Sequence, residues 1–271
     1  VLFFAGYLSE RRELLAVATR RIGPIGVPEF RHFGPVLLAW AVSLLVMTNQ
    51  KDLGSSLLFF AIFISMLWMA TARPVYVIAG GAMFFAGAAV AAKVFSHVQL
   101  RIDVWRDPFA DADGAGFQVV QSLFSLATGG AWGTGLGLGR PDLIPAVTTD
   151  FMFAAVGEEL GLVGGAAVLT IYAILISRGF GLATRCRDDF TKLLVAGLTT
   201  AIGLQTILII GGVTKLIPLT GITLPFMSYG GSSLLSNFIL IAILMRASHE
   251  SMQHHADADP TELNIPAGGG R

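Results

Sequence analysis

The sequence predicts an all-α fold, a polytopic transmembrane helical bundle, on three observations. Of its 271 residues 54% are hydrophobic and only 13% are charged, whereas soluble domains carry about 25% charged residues. The mean hydropathy is +0.70. The apolar residues form long blocks and do not alternate at the period of a strand. These features exclude an ordinary soluble domain, and a formal net charge of +0 excludes a global basic field that would recruit nucleic acid.

Apolar runs that can cross a hydrocarbon core of about 30 Å predict six full spans and a truncated first one. The truncated span covers residues 1–8, where the chain begins inside a helix. No basic segment precedes Val1, so this is not a signal peptide, and we expect the parent protein to continue upstream. The full spans lie near residues 34–49, 53–71, 75–95, 155–177, 193–213 and 231–247.

The distribution of Lys and Arg predicts the orientation, because these residues collect on the cytoplasmic side of membrane proteins. The topology that fits best places a long loop, at about 96–150, and the loop 214–230 outside the cell. Cys186 then lies in the reducing cytoplasm as a free thiol. Residues 1–248 form one transmembrane domain, and the polar residues 249–271 are predicted to be a disordered cytoplasmic tail.

The outer loop is too long to be a plain connector, and residues 117–128 within it predict an amphipathic helix. Gln118, Gln121, Ser122 and Ser125 recur at helical spacing opposite an apolar stripe. Two interpretations stay open. The helix rests in the lipid headgroups, or its polar face forms a wall towards a substrate.

The next segment, GGAWGTGLGLGR at 129–140, alternates glycine with other residues. Glycine lets backbone approach backbone or a ligand closely. No strand precedes the segment and no Walker lysine follows, so a nucleotide-binding loop is not indicated. Tight turns or close helix packing are the better interpretation.

Carboxylates surround the start of the following apolar helix: Asp142, Asp150, Glu158 and Glu159. Ionisable groups at membrane depth cost about 2.5 to 3.5 kcal/mol or more and indicate a function or a buried pair. Spacing alone favours Asp150 as a helix N-cap. Glu158 and Glu159 are predicted to be structural, pairing with polar groups of neighbouring helices.

Two further polar segments flank the membrane. In the loop 214–233 the helix is broken by Pro218 and Pro225, and non-helical backbone at membrane depth survives only where protein or a watery cavity covers it. This loop is therefore predicted to line a cavity. Lys51 and Asp52 lie in a short turn, where an ion pair and an N-cap are the simpler interpretation.

Five segments together resemble the SEDS family of bacterial cell-wall proteins, which includes RodA, FtsW and SpoVE. They are KDLGSSL at 51–57, QVVQS at 118–122, GGAWGTGLGLGR at 129–140, TDFMFAAVGEELGLVG at 149–164 and PLTGITLPFMSYGGSSLL at 218–235. The resemblance implies a fold of ten transmembrane helices, of which this chain is similar to the end of the fourth through the tenth. PLTG at 218–221 resembles the elongation and sporulation (RodA-like) members more than the division member.

The resemblance implies a peptidoglycan glycosyltransferase that polymerises glycan strands from lipid II at the outer face of the plasma membrane, in cell elongation and shape maintenance. The family's proposed catalytic carboxylate falls on Asp150, which replaces the N-cap interpretation. Asp142 aligns with a second acidic residue that is a weaker candidate for metal or substrate contact. Thr148 stands where the family usually has His.

In this hypothesis Asp150 is the general base that takes the proton of the attacking sugar hydroxyl. A divalent cation, Mg²⁺ or Mn²⁺, is implied by the resemblance, and so is a class B penicillin-binding protein as partner, beside the nascent glycan strand and membrane lipids. The candidate substrate-binding residues are Lys51, Arg101, Gln118, Gln121, Ser122, Arg140, Lys215, Ser228 and Tyr229.

Two other classes of function remain open from the sequence. A lipid II flippase would also carry buried carboxylates and broken helices. Against it, no inverted repeat is visible, and the polar residues concentrate at the outer end of the spans and not at the midplane. A non-catalytic scaffold for cell division or elongation would tolerate the loss of Asp150.

Overall fold

The computed structural model describes residues 1–16, 20–22, 25–27, 41 and 53–258. In this part of the chain the fold is helical apart from a short hairpin, in which β1 (Arg20–Ile22) pairs antiparallel with β2 (Ile25–Val27). The predicted all-α membrane fold is confirmed. The helices are α1 (Leu2–Ala16), α2 (Leu53–Thr71), α3 (Pro74–Val94), α4 (Ser96–Arg106), α5 (Phe117–Gly129), α6 (Met152–Arg185), α7 (Asp189–Val213) and α8 (Gly231–Ala258).

Five of these helices, α2, α3, α6, α7 and α8, are long and apolar enough to cross a membrane. They coincide with the predicted spans from 53–71 onwards, and they make the chain a multi-pass membrane protein. The predicted span 34–49 and the candidate Lys51 lie outside the described residues. The truncated span predicted at 1–8 is the first half of α1, which continues to Ala16 because Glu, Arg, Leu and Ala are strong helix formers.

Helix α7 forms the centre of the bundle and packs against α1, α2, α5, α6 and α8. It is apolar around most of its circumference, as expected of a buried helix. Phe63 and Met66 of α2 pack into the same buried cluster as Val195 and Ile202 of α7. Small residues at this interface, such as Gly197 beside Met66, let the helices approach closely.

Helix α6 is longer than its predicted span 155–177 and is interrupted at Gly161, where φ is 67° and ψ is −166°. The glycine-rich segment 129–140 packs against this break. The amides of Leu162 and Val163 donate to the carbonyls of Gly130 and Ala131. These bonds occupy backbone groups that the interrupted helix would otherwise leave unpaired.

The glycines of this segment serve close packing, as the sequence predicts. The amides of Thr134 and Gly135 donate to the carbonyls of Glu158 and Glu159. A Cβ atom on Gly129 or Gly133 would collide with the backbone of α6. The segment therefore needs glycine because its own backbone lies against that of the broken helix.

The outer segment between α3 and α6 contains more structure than the sequence predicts. It holds α5 as expected, but also α4 and two short 3₁₀ turns, at Pro108–Asp111 and Pro141–Leu143. Helix α4 follows α3 after a single non-helical residue, Phe95. Helix α4 is thus a second regular element of the outer segment, beside α5.

Helix α8 also passes its predicted end. It continues to Ala258, ten residues beyond the predicted boundary between the membrane domain and the tail at residue 248. An ion pair of 2.7 Å between Arg246 Nε and Glu250 Oε1, one turn apart, supports this extension. Residues 259–271 lie outside the described residues.

Candidate active site

A cavity of about 180 Å³ lies between α4, α5, the turn before α6 and the loop that follows α7. Four of the candidate residues from the sequence line it: Asp150, Arg101, Gln118 and Lys215. The other lining residues are Leu100, Val104, Trp105, Ala115, Val119, Gly212, Ile217, Leu219 and Gly221. Residues far apart in the chain therefore meet at one site, and the loop 214–230 lines a cavity as predicted.

Arg101 joins α4 to the loop that follows α7. Its Nη1 atom donates to the carbonyl oxygens of Leu219 and Thr220, each at 3.0 Å. Both carbonyls belong to non-helical backbone, which must find partners outside regular secondary structure. The guanidinium thus fixes the loop while its positive charge stays at the cavity wall.

Trp105 makes a second connection one helical turn further along α4. Its Nε1 atom donates to the carbonyl oxygen of Lys215 at 3.1 Å, and Lys215 itself has a positive φ of 60°. Sequence reasoning missed Trp105. The signal was present, since Arg101 and Trp105, like Leu100 and Val104, are four residues apart and share a helix face.

Asp150 lies half-buried at the end of the turn that precedes α6. Its backbone amide donates to Ala146 at 3.0 Å. The N-cap position of α6 belongs to Phe151, and no side chain caps the helix. The N-cap interpretation that spacing favoured is therefore wrong, and Asp150 is one of the residues that line the cavity.

Gly221 keeps the space beside Asp150 open. A Cβ at this position would lie 3.7 Å from Oδ2 of Asp150 and 3.7 Å from Nη2 of Arg101. Its φ of 71° is in the left-handed region, which favours glycine. The carboxylate and the guanidinium therefore border the same small volume.

Two hydrogen bonds hold the loop 214–230 against the rest of the site. The amide of Tyr229 donates to the carbonyl of Thr148 at 2.7 Å, two residues before Asp150. The hydroxyl of Tyr172, on α6, donates to the carbonyl of Pro225. The Tyr229 ring itself is 72% exposed and is not part of the cavity lining.

The polar face of α5 is divided between packing and the cavity. Ser122 is fully buried, and its hydroxyl donates to the carbonyl of Val213 at 3.2 Å. Ser125 is buried as well, and Gln121 is half-buried outside the lining. Gln118 alone of this face lines the cavity. Ser122 of this face therefore serves packing against the end of α7, whereas Gln118 lies at the cavity.

The remaining candidates lie away from the cavity. Ser228 is buried, and its Oγ accepts a hydrogen bond of 2.9 Å from the Leu224 amide, which gives it a structural role in the loop. Arg140 and Asp142 are exposed. Glu158 accepts a bond of 2.7 Å from the Arg140 amide, so its partner is the glycine-rich segment, and the expected partner on a neighbouring helix is not what the structure shows.

The charges of the lining are Arg101 and Lys215 against Asp150. A small cavity with excess positive charge attracts anions, and a carboxylate beside it can accept a proton. Among residues 53–258 and the short described stretches before them, no three His, Cys, Asp or Glu side chains cluster as a metal site would require. Such an arrangement of charges can hold an anion next to a proton acceptor.

Comparison with known proteins gives matches over nearly the whole chain. The model of the FtsW, RodA and SpoVE family, described as cell cycle protein, matches residues 1–253. The peptidoglycan glycosyltransferase RodA of Mycobacterium tuberculosis is 52% identical over 249 residues, 92% of this chain and 53% of the relative. Stage V sporulation protein E of Bacillus subtilis is 34% identical over 254 residues, 93% of this chain and 66% of the relative. The chain spans about half the length of the mycobacterial relatives.

Solved structures share the fold. A chain from a peptidoglycan synthase complex, described for its coordination of polymerization and crosslinking, aligns with a TM-score of 0.68 at 21% identity, over 92% of this chain and 81% of that one. The rod shape determining protein RodA of Thermus thermophilus aligns with a TM-score of 0.52 at 20% identity, over 92% and 78%. The helical arrangement is therefore one that these proteins have in common.

Proposed function

The chain belongs to the FtsW, RodA and SpoVE family, and from this premise we propose that its full protein is a peptidoglycan glycosyltransferase. It polymerises glycan strands from lipid II at the outer face of the bacterial plasma membrane, in elongation and shape maintenance. The names of the relatives support the reaction class. The observation that carries the proposal is the meeting of Asp150, Arg101, Gln118 and Lys215 in one cavity.

Asp150 acts as the general base. In the reaction, the 4-hydroxyl of the acceptor sugar attacks the anomeric carbon of the lipid-linked glycan, and the bond from that carbon to the pyrophosphate oxygen breaks. The Asp150 carboxylate accepts the hydroxyl proton, and the lipid pyrophosphate departs with the bonding electrons. Proton transfer to a positioned side chain contributes about 100-fold to 10,000-fold to a rate.

Arg101 and Lys215 bind the pyrophosphate. Negative charge grows on the leaving oxygen in the transition state, and fixed cations in a partly water-excluded cavity stabilise it better than water does. Arg101 is held in place by hydrogen bonds to the carbonyls of Leu219 and Thr220, so its side chain needs little rearrangement during the reaction. Gln118 lines the same cavity and can donate to sugar or phosphate oxygens.

The divalent cation fits this site only in part. The described lining supplies one carboxylate, Asp150, so an ion would take its other ligands from pyrophosphate oxygens and water, as Mg²⁺ does in many phosphate sites. When bound, it would neutralise pyrophosphate charge. Asp142 is exposed but lies close to Asp150 in the sequence. If it contributes a ligand, Asp142→Asn raises the Mg²⁺ or Mn²⁺ concentration needed for half-maximal activity.

The partner and the orientation belong to the same proposal. One structural neighbour comes from a complex described for polymerization and crosslinking, which supports a class B penicillin-binding protein as the partner of this chain.

The C-terminus is assigned to the cytoplasm. The excess of Lys and Arg that this places inside supports it, as does the position of the cavity at the opposite end of α7 from the Asp188 cap.

The test uses the full-length protein, reconstituted in vesicles with lipid II, Mg²⁺ or Mn²⁺ and the partner protein. We expect glycan polymer, and we expect it to depend on Lys215, so that Lys215→Met lowers the rate by about tenfold or more. Lys93→Met is the matched control, because Lys93 lies in the last turn of α3 and not in the cavity. Transbilayer movement of lipid II without polymer would assign a flippase, and neither activity would leave a scaffold.

A further inference from the structure

Three large apolar side chains of the glycine-rich segment are highly exposed. Trp132 is 82% exposed, Leu136 is 75% exposed and Leu138 is 76% exposed. We call these three residues the apolar tip. None of them lines the cavity, so the proposed reaction does not account for them.

The apolar tip is presented on a fixed backbone. On one side of Trp132, the carbonyl of Ala131 accepts from Val163 at 3.2 Å. On the other side, the amide of Thr134 donates to Glu158 at 2.9 Å. The backbone of this segment is hydrogen-bonded to α6 on both sides of the break at Gly161. The side chains are therefore held in their exposed positions by the fold.

The length of α6 places the tip near the outer boundary of the membrane. From Gly161 to Arg178 the helix rises about 26 Å at about 1.5 Å per residue, close to the thickness of the hydrocarbon core, which is about 30 Å. No charged residue lies between these two positions. With Arg178 at the inner boundary, Gly161 and the tip beside it lie at the outer one.

The neighbouring surface of α6 is apolar and continuous with the tip. Leu162 is 73% exposed and Val163 is 51% exposed, and both are bonded through their amides to the glycine-rich segment. These residues begin the lipid-facing part of a helix that is long and apolar enough to cross the membrane.

The charge of the segment suits a phospholipid surface. Arg140 is the single charged residue between 129 and 140, and its side chain is exposed. Tryptophan is enriched at membrane interfaces, where its ring and its N–H meet different surroundings. Arginine extends its charged end to the phosphate groups above apolar neighbours. Trp132, the two leucines and Arg140 make this combination.

We propose that the apolar tip inserts into the outer leaflet beside α6 and anchors the outer segment to the phospholipid surface. The Trp132 ring lies at the level of the glycerol backbone, Leu136 and Leu138 reach the upper acyl chains, and Arg140 meets the phosphates. The anchor sets the depth of the segment that leads from α5 to Asp150. It requires neither lipid II nor a partner protein.

The test measures contact between Trp132 and lipid in the full-length protein. The chain has four tryptophans, and Trp40→Phe, Trp68→Phe and Trp105→Phe together leave Trp132 as the probe within it; any tryptophans elsewhere in the protein are replaced likewise. The protein is reconstituted in phosphatidylglycerol vesicles containing phosphatidylcholine that is brominated either near the headgroup end or near the methyl end of its chains.

We expect bromine near the headgroup end to quench Trp132 at least about twofold more than bromine near the methyl end, because interfacial rings lie shallow. The control protein keeps Trp105 instead, whose Nε1 is bonded to Lys215 in the wall of the cavity and which should be quenched less. Leu136→Ser with Leu138→Ser should move Trp132 outward and reduce its quenching. Trp132 emission that is insensitive to both lipids would overturn the anchor, whether water or another polypeptide surrounds the ring.

Discussion

The guanidinium of Arg101 and the carboxylate of Asp150 border one small space at Gly221, where a Cβ would lie 3.7 Å from an atom of each. The two groups come from α4 and from the turn before α6, and the glycine comes from the loop after α7. A substrate bound in this space would contact a cation and a proton acceptor at the same time. The following predictions test that arrangement.

Gly221→Ala should lower the polymerisation rate. The added methyl group would occupy space between Asp150 and Arg101, and an L-residue at a φ of 71° costs about 1 to 2 kcal/mol. We expect a loss of about tenfold or more, since small displacements near reacting groups have effects of this size. The measurement is the initial rate with lipid II. Gly231→Ala is the control, because no atom lies within 4 Å of its Cβ position, and an equal loss there would refute the explanation.

Arg101→Ala should both destabilise the protein and reduce its activity. The variant removes two charged hydrogen bonds to the carbonyls of Leu219 and Thr220, and hydrogen bonds to charged groups contribute about 1.5 to 3 kcal/mol. We expect a lower Tm in detergent and a higher KM for lipid II. Arg106→Ala, at the exposed end of the same helix, should change neither. Unchanged Tm and KM in the Arg101 variant would contradict the role of this side chain.

Gly161→Ala should destabilise the fold strongly. Its φ of 67° is unfavourable for alanine, and the methyl group would meet the Ala131 carbonyl and the Gly133 amide. We expect a loss of about 2 to 4 kcal/mol, the sum of strain and clash. Gly181→Ala is the matched control in the same helix, because its Cβ position is open and alanine is the better helix former. Thermal denaturation of both variants distinguishes them, and equal Tm values would mean that the break is not required.

Cys186 should react slowly with maleimides and only from the cytoplasmic side. Burial raises the pKa of the Cys186 thiol, and the nearby Asp188 carboxylate raises it further. The thiolate is the reactive form, so labelling at neutral pH should be slower than for an ordinary exposed thiol and should increase towards alkaline pH. An impermeant maleimide should label inside-out vesicles and spare intact cells, with Cys186→Ser as the blank. Labelling in intact cells would reverse the assigned orientation.

The sequence predicts the membrane helices well because hydropathy is a local property of each run of residues. It also selects Asp150, Arg101, Gln118 and Lys215, which share the cavity. Prediction from the sequence fails where a local structure depends on hydrogen-bond partners that are distant in the chain. The break at Gly161 exists because residues some 30 positions earlier supply its hydrogen bonds, and no periodicity reveals that pairing.

Two other failures have the same physical origin. Ser122 has the spacing of an exposed polar face, yet its hydroxyl is buried against Val213, because in apolar surroundings small polar residues suit helix packing. Helix α4 escaped notice because its hydropathy is mixed, although Arg101 and Trp105 both bind the loop after α7. Side-chain types alone do not tell a binding face from a packing face.

The most direct test of the account is glycan polymerisation by Asp150→Asn in the full-length protein with lipid II, a divalent cation and the partner. Asparagine keeps the size of the side chain and loses the basic carboxylate, so we expect the rate to fall by about 100-fold or more with expression unchanged. Asp103→Asn, an exposed carboxylate in the same outer segment, should polymerise like the wild type. Polymer formation at the wild-type rate by the Asp150 variant would contradict the account.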